Sequence, residues 1–219
     1  MFQHIFKFEH PSTIFITGPT QAGKTHFVID LLKELDDLLV PAPERIHWAY
    51  GVKNEKQEQI IKNIQPSITF SEGFPDLNIF DPDTNNLLIL DDLMDEIGKN
   101  RDCANLFTRG SHHNNITVIA IVHNIFNQDK YFRTLTLNGQ DFIFFNSPRD
   151  RQQLRNFGRQ VFPQYKNFLP AALEEASKMN ERGYIVVRLK ATLPDSLRVC
   201  TNIFKHQIPV WFVPPGSVV

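Results

Sequence analysis

The sequence predicts an α/β fold in which a central, mostly parallel β-sheet is flanked by helices. Short apolar runs alternate with segments of helical periodicity along most of the chain. The strand candidates are short and mostly apolar, as strands buried on both faces of a parallel sheet are. A chain of 219 residues suffices for one well-filled core. We therefore predict a single domain over residues 1–208 and a Pro-rich tail over residues 209–219.

The predicted elements follow one another in a regular order. Strand candidates are Thr13–Thr17, Arg45–Tyr50, Ser67–Phe70, Leu87–Asp91, Ile116–Val122 and Asp141–Asn146. Helix candidates are Lys24–Leu38, Asn54–Ile64, Asp102–Arg109, Arg149–Gln160 and Ala171–Asn180. Gly110 follows the third helix candidate, where a left-handed C-cap is expected. Tyr184–Leu189 and Leu197–Phe204 are β-rich and predict an antiparallel hairpin at the sheet edge. The ending PVWFVPPGSVV is either a loose end or a segment that docks Trp211 and Phe212 against a partner.

A glycine-rich loop joins the first strand candidate to the first helix candidate. It fits the pattern G-x-x-x-x-G-K-[ST] and consists of Gly18, Pro19, Thr20, Gln21, Ala22, Gly23, Lys24 and Thr25, with His26 next in the helix. The backbone N–H groups of such a loop and the positive end of the helix can surround phosphate oxygens. The motif predicts an ATP site in which Lys24 reaches the β- and γ-phosphates and Thr25 holds Mg²⁺. The alternative is a glycine turn that only caps a helix.

A second acidic element is expected at the end of another central strand, because Mg²⁺ and the attacking water must both be positioned. The segment LLILDDLMDE supplies it. We expect Asp91 to hold the Mg²⁺ through water and Asp92 to orient the attacking water. Many enzymes of this type have the longer Glu at the second position, so Asp95 or Glu96 could serve instead. The alternative is a pair of solvated carboxylates.

A third element is the apolar run ITVIAIV, which is followed by His123 and Asn124. A central strand beside a phosphate-binding loop often ends in a polar residue that senses the γ-phosphate. Either side chain could fill this role. The alternative for His123 is an ordinary residue at a strand end.

The helix candidate that begins near residue 149 has one cationic and one apolar face. Arg151, Arg155 and Arg159 recur every four residues, opposite an apolar stripe. This face is either simply solvated, or it contacts DNA phosphates, or it supplies an arginine finger to a neighbouring subunit. The candidates for such a finger are Arg109, Arg149, Arg151, Arg155 and Arg159. His112 and His113 adjoin a glycine turn, where we expect no metal site.

Composition limits the other possibilities. The formal charge of −1 gives no global field that attracts nucleic acid, so any contact with DNA requires a local patch or repetition in an oligomer. Two distant cysteines, Cys103 and Cys200, form neither a disulfide framework nor a metal-ligand spacing. We find no signal pattern and no apolar run of membrane-spanning length. We therefore expect a soluble intracellular protein that is not secreted and has no membrane partner.

Four segments together carry a family resemblance over roughly Phe8 to Pro163. They are FEHPSTIFITGPTQAGKTHFV, LLILDDLMDE, LFTRGSHHNNITVIAIVHNIF and FFNSPRDRQQLRNFGRQVFP. In this order and spacing they closely resemble the genome-packaging ATPase of Polinton/Maverick elements and adintoviruses, a member of the FtsK–HerA superfamily. That family usually has Gln followed by Asn after the sensor strand, whereas this chain has His123 before Asn124. Imidazole can still donate one hydrogen bond there, with a new dependence on pH.

The resemblance implies a RecA-like (ASCE) P-loop NTPase fold and assembly into a ring, with a hexamer as the expected state. It also implies ATP-driven translocation of double-stranded DNA into a capsid, with capsid proteins as partners. The protein would then act at an assembly site in the host nucleus or cytoplasm, or be associated with the virion.

Other functions remain open at this point. A superfamily 3 helicase shares the P-loop and an Asn after the sensor strand, but it normally carries an origin-binding or nicking domain as well. A nucleotide-binding capsid-assembly protein that has lost hydrolysis is a second alternative, because the positions of Asp92 and His123 hold less usual residues. A small-molecule kinase is a weaker option, since no acceptor pocket is recognisable.

Overall fold

A computed structural model describes residues 6–111, 114–127, 129, 131–147 and 151–216, without the side chain of Arg109. Within these residues, nine strands form one sheet in the order β11-β10-β9-β8-β2-β7-β6-β4-β5, and β1 pairs with β3 in a small parallel sheet. The strands are β1 Phe8–Glu9, β2 Thr13–Thr17, β3 Leu39–Val40, β4 Arg45–Tyr50, β5 Thr69–Glu72, β6 Asn86–Asp91, β7 Ile116–Val122, β8 Asp141–Phe145, β9 Tyr184–Arg188, β10 Val199–Thr201 and β11 Val210–Phe212.

The sheet is parallel from β5 to β8 and antiparallel from β8 to β11. This confirms the predicted α/β fold with a central, mostly parallel sheet and a C-terminal antiparallel hairpin. β2, β4 and β7 have the predicted bounds; β2 and β7 are buried throughout, and β4 is buried except at its two end residues.

Helices cover both faces of the sheet. They are α1 Lys24–Lys33, α2 Leu35–Leu38, α3 Glu55–Ile64, α4 Met94–Ile97, α5 Arg101–Asn105, α6 Phe132–Leu137, α7 Arg151–Val161 and α8 Phe168–Met179. Apolar side chains of α1 and α3 share one buried cluster with Ile14 and Ile16 of β2. Those of α5 to α8 share another with Phe15, which points to the opposite face because side chains alternate along a strand. The sheet therefore separates two cores, and its carboxyl edge lies between two helical layers.

Two predictions about helices are wrong. The first predicted helix is interrupted at Glu34, which has non-helical dihedral angles between α1 and α2. Gly110 is not a left-handed C-cap, because α5 continues into a π-helical turn over Leu106–Gly110. The N–H of Ser111 donates to the carbonyl of Leu106, and the carbonyl of Gly110 accepts from Asn114 at 2.8 Å. Helical hydrogen bonding thus runs through the glycine rather than ending there.

The C-terminal segment is part of the sheet. β11 pairs with β10, with Trp211 opposite Cys200, and both Trp211 and Phe212 pack against the chain's own cores. For these residues the interpretation as a loose end is wrong. β10 is shorter than predicted, because Asn202 has a positive φ of 58° immediately after it. The domain boundary at residue 208 stays a prediction.

Candidate nucleotide-binding site

The glycine-rich loop connects β2 to α1 at the carboxyl edge of the sheet. Gly23 is the N-cap of α1 and has a φ of +97°, a conformation that side chains with a Cβ rarely adopt. The first hydrogen bond of the helix runs from the N–H of Phe27 to the carbonyl of Gly23 at 2.9 Å. The amides from Gly23 to His26 precede that bond and have no partner within the helix. The loop therefore presents consecutive N–H groups at the positive end of a ten-residue helix, an arrangement suited to an anion.

Lys24 is buried in this loop. Its Nζ donates to the carbonyl oxygens of Gly18 and Pro19 at 2.7 and 2.9 Å. Burial lowers the pKa of the Lys24 ammonium, and the negative charges of Asp91 and Asp92 partly offset this effect. The ammonium thus lies within electrostatic reach of both carboxylates that the sequence predicts to act with it.

The register of the parallel strands explains why these groups meet. Thr17 of β2 pairs with Val122 of β7, and Asp91 of β6 pairs with Ile121 of β7. The residues that follow β2, β6 and β7 therefore emerge side by side at one edge. Ligands of open α/β sheets bind at this edge, outside the carboxyl ends of the strands.

Asp91 is held by a residue that the sequence analysis missed. Gln57 of α3 donates from Nε2 to Oδ2 of Asp91 at 3.1 Å. Burial raises the pKa of Asp91, as does the charge of Asp92, whereas the bond from Gln57 and the charge of Lys24 lower it. A carboxylate in this position gains stability from a nearby cation. The contact spans 34 residues of sequence, so no local pattern predicts it.

Asp92 and His123 lie next to each other. Nε2 of His123 is 3.4 Å from Oδ1 of Asp92, and the two side chains are 50% and 55% exposed. Asp92 has a positive φ of 56°, which turns the chain sharply after β6. The turn fits because residue 51 is glycine, since a Cβ there would be 2.3 Å from the carbonyl oxygen of Asp92. The residue predicted to orient water and a predicted sensor thus form one polar pair in contact with solvent.

The other residues considered for these roles are arranged differently. Asn124 accepts the N–H of Phe126 at 2.6 Å, which directs its carboxamide oxygen into its own loop. Glu96 accepts the N–H of Phe74 at 3.0 Å, on the chain segment after β5. Asp95 is exposed in α4. Among the alternatives for Asp92, Glu96 is thus already engaged in a structural contact.

A cavity of about 520 Å³ lies beside the start of the loop. Thr17, Gly18 and Pro19 line it together with His123, and Arg151 and Arg155 line it from α7. Arg159 is exposed and is not among the lining residues. The predictions for Arg149, His112 and His113 fall outside the described residues. Arg109 lies in the π-helical turn, and its side chain also falls outside them.

Gln153 also lines this cavity and was missed by the sequence analysis. Its Oε1 accepts from Oγ1 of Thr17 at 3.3 Å and from the N–H of Ile125 at 3.2 Å. Gln153 lies among the cationic residues of α7 in the sequence. No local pattern distinguishes it from Gln152, so the sequence alone does not identify it as a site residue.

No helix among the described residues combines the length and the apolar character that crossing a bilayer requires. This observation concerns those residues alone.

Comparison with known proteins gives similarity at the level of structure. No protein-family model and no curated protein matches the chain. The crystal structure of the DNA-packaging ATPase from Sulfolobus turreted icosahedral virus matches with a TM-score of 0.51 at 12% identity, covering 93% of this chain and 98% of that one. The genome-packaging NTPase of Sulfolobus turreted icosahedral virus 2, in complex with ATPγS, has a TM-score of 0.49 at 10% identity, with 93% and 97% covered.

At such identity the similarity concerns the fold. The resemblance to the Polinton and adintovirus family stays a prediction. The strand order, the loop between β2 and α1 and the match at a TM-score of 0.51 together show that the chain has the fold of a P-loop NTPase.

Proposed function

We propose that this protein is an ATP hydrolase that drives double-stranded viral or transposon DNA into a capsid. The observation that carries the proposal is the convergence of Lys24, Asp91 and the Asp92–His123 pair at the carboxyl edge of the sheet, beside the amides of the loop. The motif resemblance and the fold shared with a protein described as a DNA-packaging ATPase support the packaging role.

In this proposal the residues from Gly18 to His26 bind the triphosphate of ATP. The N–H groups at the start of α1 donate to the phosphate oxygens, since they have no partner within the helix. An ammonium has three N–H donors, and Lys24 directs two of them to loop carbonyls. We assign the remaining donor to an oxygen of the β- or γ-phosphate. The two carbonyl contacts hold the charge inside the loop, where it is shielded from water.

Asp91 and Thr25 are the residues that we assign to Mg²⁺. Asp91 fits a cation site because its carboxylate is largely removed from water and lies near a second negative charge. Thr25 occupies the first turn of α1 and is half-buried. When bound, Mg²⁺ would offset the negative charge of the phosphates. The hydrogen bond from Gln57 orients Asp91 for this task.

Asp92 and His123 are assigned to hydrolysis and sensing. The exposed carboxylate of Asp92 can accept a hydrogen bond from a water molecule and orient it toward the γ-phosphate. His123 can donate from its ring to the γ-phosphate and lies 3.4 Å from Asp92. Loss of the γ-phosphate would then change the hydrogen bonding of His123 and, through it, that of Asp92, which positioned the water.

We assign contacts with DNA and with neighbouring subunits to the cationic helix α7. Arg151, Arg155 and Arg159 of α7 are exposed. Because the net charge of −1 gives no global attraction to DNA, a local cationic surface such as this one must supply the contact. In a ring, for which we propose a hexamer, these arginines would recur around the central channel or reach a neighbour's phosphates. Capsid proteins would complete the machine at an assembly site in the host nucleus or cytoplasm, or in the virion.

A second candidate is a nucleotide-binding assembly protein without hydrolysis. The short Asp92 stands where a longer Glu is common, and its carboxylate faces His123 at 3.4 Å. A contact of this kind with the imidazole would keep the Asp92 carboxylate from the attacking water. This candidate predicts ATP binding with no turnover.

ATP binding and turnover by matched variants test the proposal. We expect the wild type to bind and hydrolyse Mg-ATP, Lys24→Ala to lose both, and Asp92→Asn to bind but not hydrolyse. Turnover near the wild-type rate in Lys24→Ala would overturn the assignment of the loop. An active Asp92→Asn protein would transfer the role of orienting water to another residue, and binding without turnover in the wild type would favour the second candidate.

A further inference from the structure

Gln153 joins three elements through one atom. Its Oε1 lies 3.3 Å from Oγ1 of Thr17 and 3.2 Å from the backbone N of Ile125. A carboxamide oxygen has two lone pairs, so it can accept from both the Thr17 hydroxyl and the Ile125 N–H. The Thr17 hydroxyl also lies 3.4 Å from the carbonyl oxygen of His123. The Ile125 N–H fixes the orientation of the amide, because a flipped side chain would bring its NH₂ group against that N–H.

The three elements are those that the proposed mechanism requires to communicate. Thr17 is the last residue of β2 and immediately precedes the phosphate-binding loop. Ile125 lies two residues after His123, in the segment that follows β7. Gln153 itself belongs to α7, which is anchored to the core through Leu154 and Phe157.

The arginines of α7 lie close to the same junction. Arg151 and Arg155 line the cavity of about 520 Å³ that Gly18 and His123 also line. A displacement of α7 relative to the end of β2 therefore changes the positions of the Arg151 and Arg155 side chains relative to the phosphate-binding loop. The contact of Gln153 with Thr17 and Ile125 is a polar tie between α7 and that strand end.

We propose that Gln153 is a positioning residue that couples the phosphate-binding loop and the sensor segment to the arginine-bearing helix α7. The inference rests on the proposed function, since it requires that a nucleotide occupies the loop. A phosphate bound on the loop amides and contacted by His123 shifts the ends of β2 and β7 together. Gln153 transmits that shift to α7, so that Arg151 and Arg155 respond to the presence of the γ-phosphate.

Gln152 offers a matched control on the same helix. It is exposed, and its Nε2 donates to Oδ1 of Asn156 at 3.0 Å, away from the strand ends. Gln153→Met keeps the length of the side chain and removes the acceptor, and Gln152→Met makes the same chemical change one residue away. Thr17→Val removes one of the two donors and gives a second way to break the tie.

Hydrogen exchange with and without ATPγS reads the coupling without requiring turnover. In the wild type and Gln152→Met, we expect ATPγS to slow exchange both in the loop, residues 18–27, and in α7, residues 151–161. In Gln153→Met, the loop should remain protected while the protection of α7 is lost. Equal protection of α7 in Gln153→Met and the wild type overturns the inference, as does a wild type protected in the loop alone.

Steady-state hydrolysis supplies an independent readout. Loss of the acceptor should lower kcat by about tenfold, the equivalent of one hydrogen bond, with KM for ATP changed less than about twofold. In a double-mutant cycle, Thr17→Val and Gln153→Met should be less than additive, because they break the same bond. Equal effects on kcat and KM, or full additivity, contradict a positioning role. A wild type that binds no ATPγS would overturn the proposed function itself, and the inference with it.

Discussion

Gln57 of α3 donates a hydrogen bond to Asp91 at the end of β6, with 3.1 Å between Nε2 and Oδ2. The backbone of Gln57 is also fixed, because its N–H donates to the side chain of Asn54, the N-cap of α3. The carboxylate assigned to Mg²⁺ is therefore oriented by a helix on the α1 face of the sheet. Removal of a group that orients a metal ligand in this way typically lowers metal affinity or activity by about 10- to 100-fold.

Replacing Gln57 with Leu should raise the Mg²⁺ concentration required for half-maximal hydrolysis by about tenfold. The bond from Gln57 lowers the pKa of Asp91, so its loss should also move the acidic limb of the pH–rate profile to higher pH. Mg²⁺ titration of ATP hydrolysis at several pH values measures both effects. Gln59→Leu is the control, because Gln59 contacts Asn63 on the exposed side of the same helix. If the two variants gave identical titrations, either Asp91 would not bind Mg²⁺ or Gln57 would not orient Asp91.

Replacing Gly51 with Ala should displace Asp92. The added Cβ would be 2.3 Å from the carbonyl oxygen of Asp92, so the turn after β6 must shift. We expect a loss of about 1–3 kcal/mol in the free energy of unfolding and a larger loss of hydrolysis than of ATP binding. Urea denaturation and ATPγS titration measure these quantities.

Gly158→Ala provides the contrast for this substitution. Gly158 is buried in α7, and its added Cβ would contact Leu169 at 3.6 Å, an ordinary van der Waals distance. Alanine in a helix interior should stabilise the protein by about 0.5–1 kcal/mol. A Gly51→Ala protein as stable and as active as Gly158→Ala would contradict the tight turn at Asp92.

Asp141 should make stability depend on pH. Burial at the start of β8 raises its pKa to about 6 from 3.8, while Arg188, with its Nε 3.4 Å from Oδ1, partly opposes the shift. Glu9 and Lys190 act more weakly and in opposite directions. Because the pKa is higher in the folded state, the stability contributed by the protonated form is complete below about pH 4 and is lost as pH rises through about 6.

Urea denaturation between pH 4 and 7.5 tests this prediction against Asp141→Asn, which cannot titrate. Over that range the free energy of unfolding of the wild type should fall by on the order of 2 kcal/mol relative to that of the variant. Parallel pH profiles for the two proteins would show that Asp141 does not titrate differently in the folded and unfolded states.

Reversing the charge of Arg155 should weaken binding of double-stranded DNA or the cooperativity of hydrolysis in ATP. Arg155 is exposed on α7 and lines the cavity beside the loop. Loss of a phosphate contact would also lower the dependence of DNA affinity on salt by about one unit of slope. Arg133→Glu makes the same change at an exposed position of α6. If both variants behave alike in DNA affinity, its salt dependence and cooperativity, α7 is only a solvated face.

The strands and the glycine-rich loop were predictable because their signals are local. β2, β4 and β7 are short, mostly apolar runs, and the loop has a pattern that spans eight residues and continues into a helix. The ends of helices and strands were less predictable where the backbone conformation of a single residue determines where the element stops. Asn202 ends β10 through a positive φ, and the π-helical turn continues the helix past Gly110. β11 forms although Pro209 and Pro214 lie on either side of it, because it adds to an edge already present.

The residues of the site show the same difference between local and long-range signals. Lys24, Asp91, Asp92 and His123 follow from motifs, and the parallel register brings them to one edge. Gly51, Gln57 and Gln153 do not, because each acts on a residue that is distant in sequence and near only in the folded chain. Their contacts depend on the packing of β4, α3 and α7 against the strand ends, which no local pattern encodes.

Steady-state ATP hydrolysis across a series of protein concentrations, with and without long double-stranded DNA, tests the central claim most directly. Lys24→Ala is the control, since it removes the ammonium that the loop holds. We predict turnover that rises steeply with protein concentration and with DNA and is absent from the control. Binding of ATP without turnover under all these conditions, or turnover that Lys24→Ala retains, would contradict a DNA-stimulated ring motor.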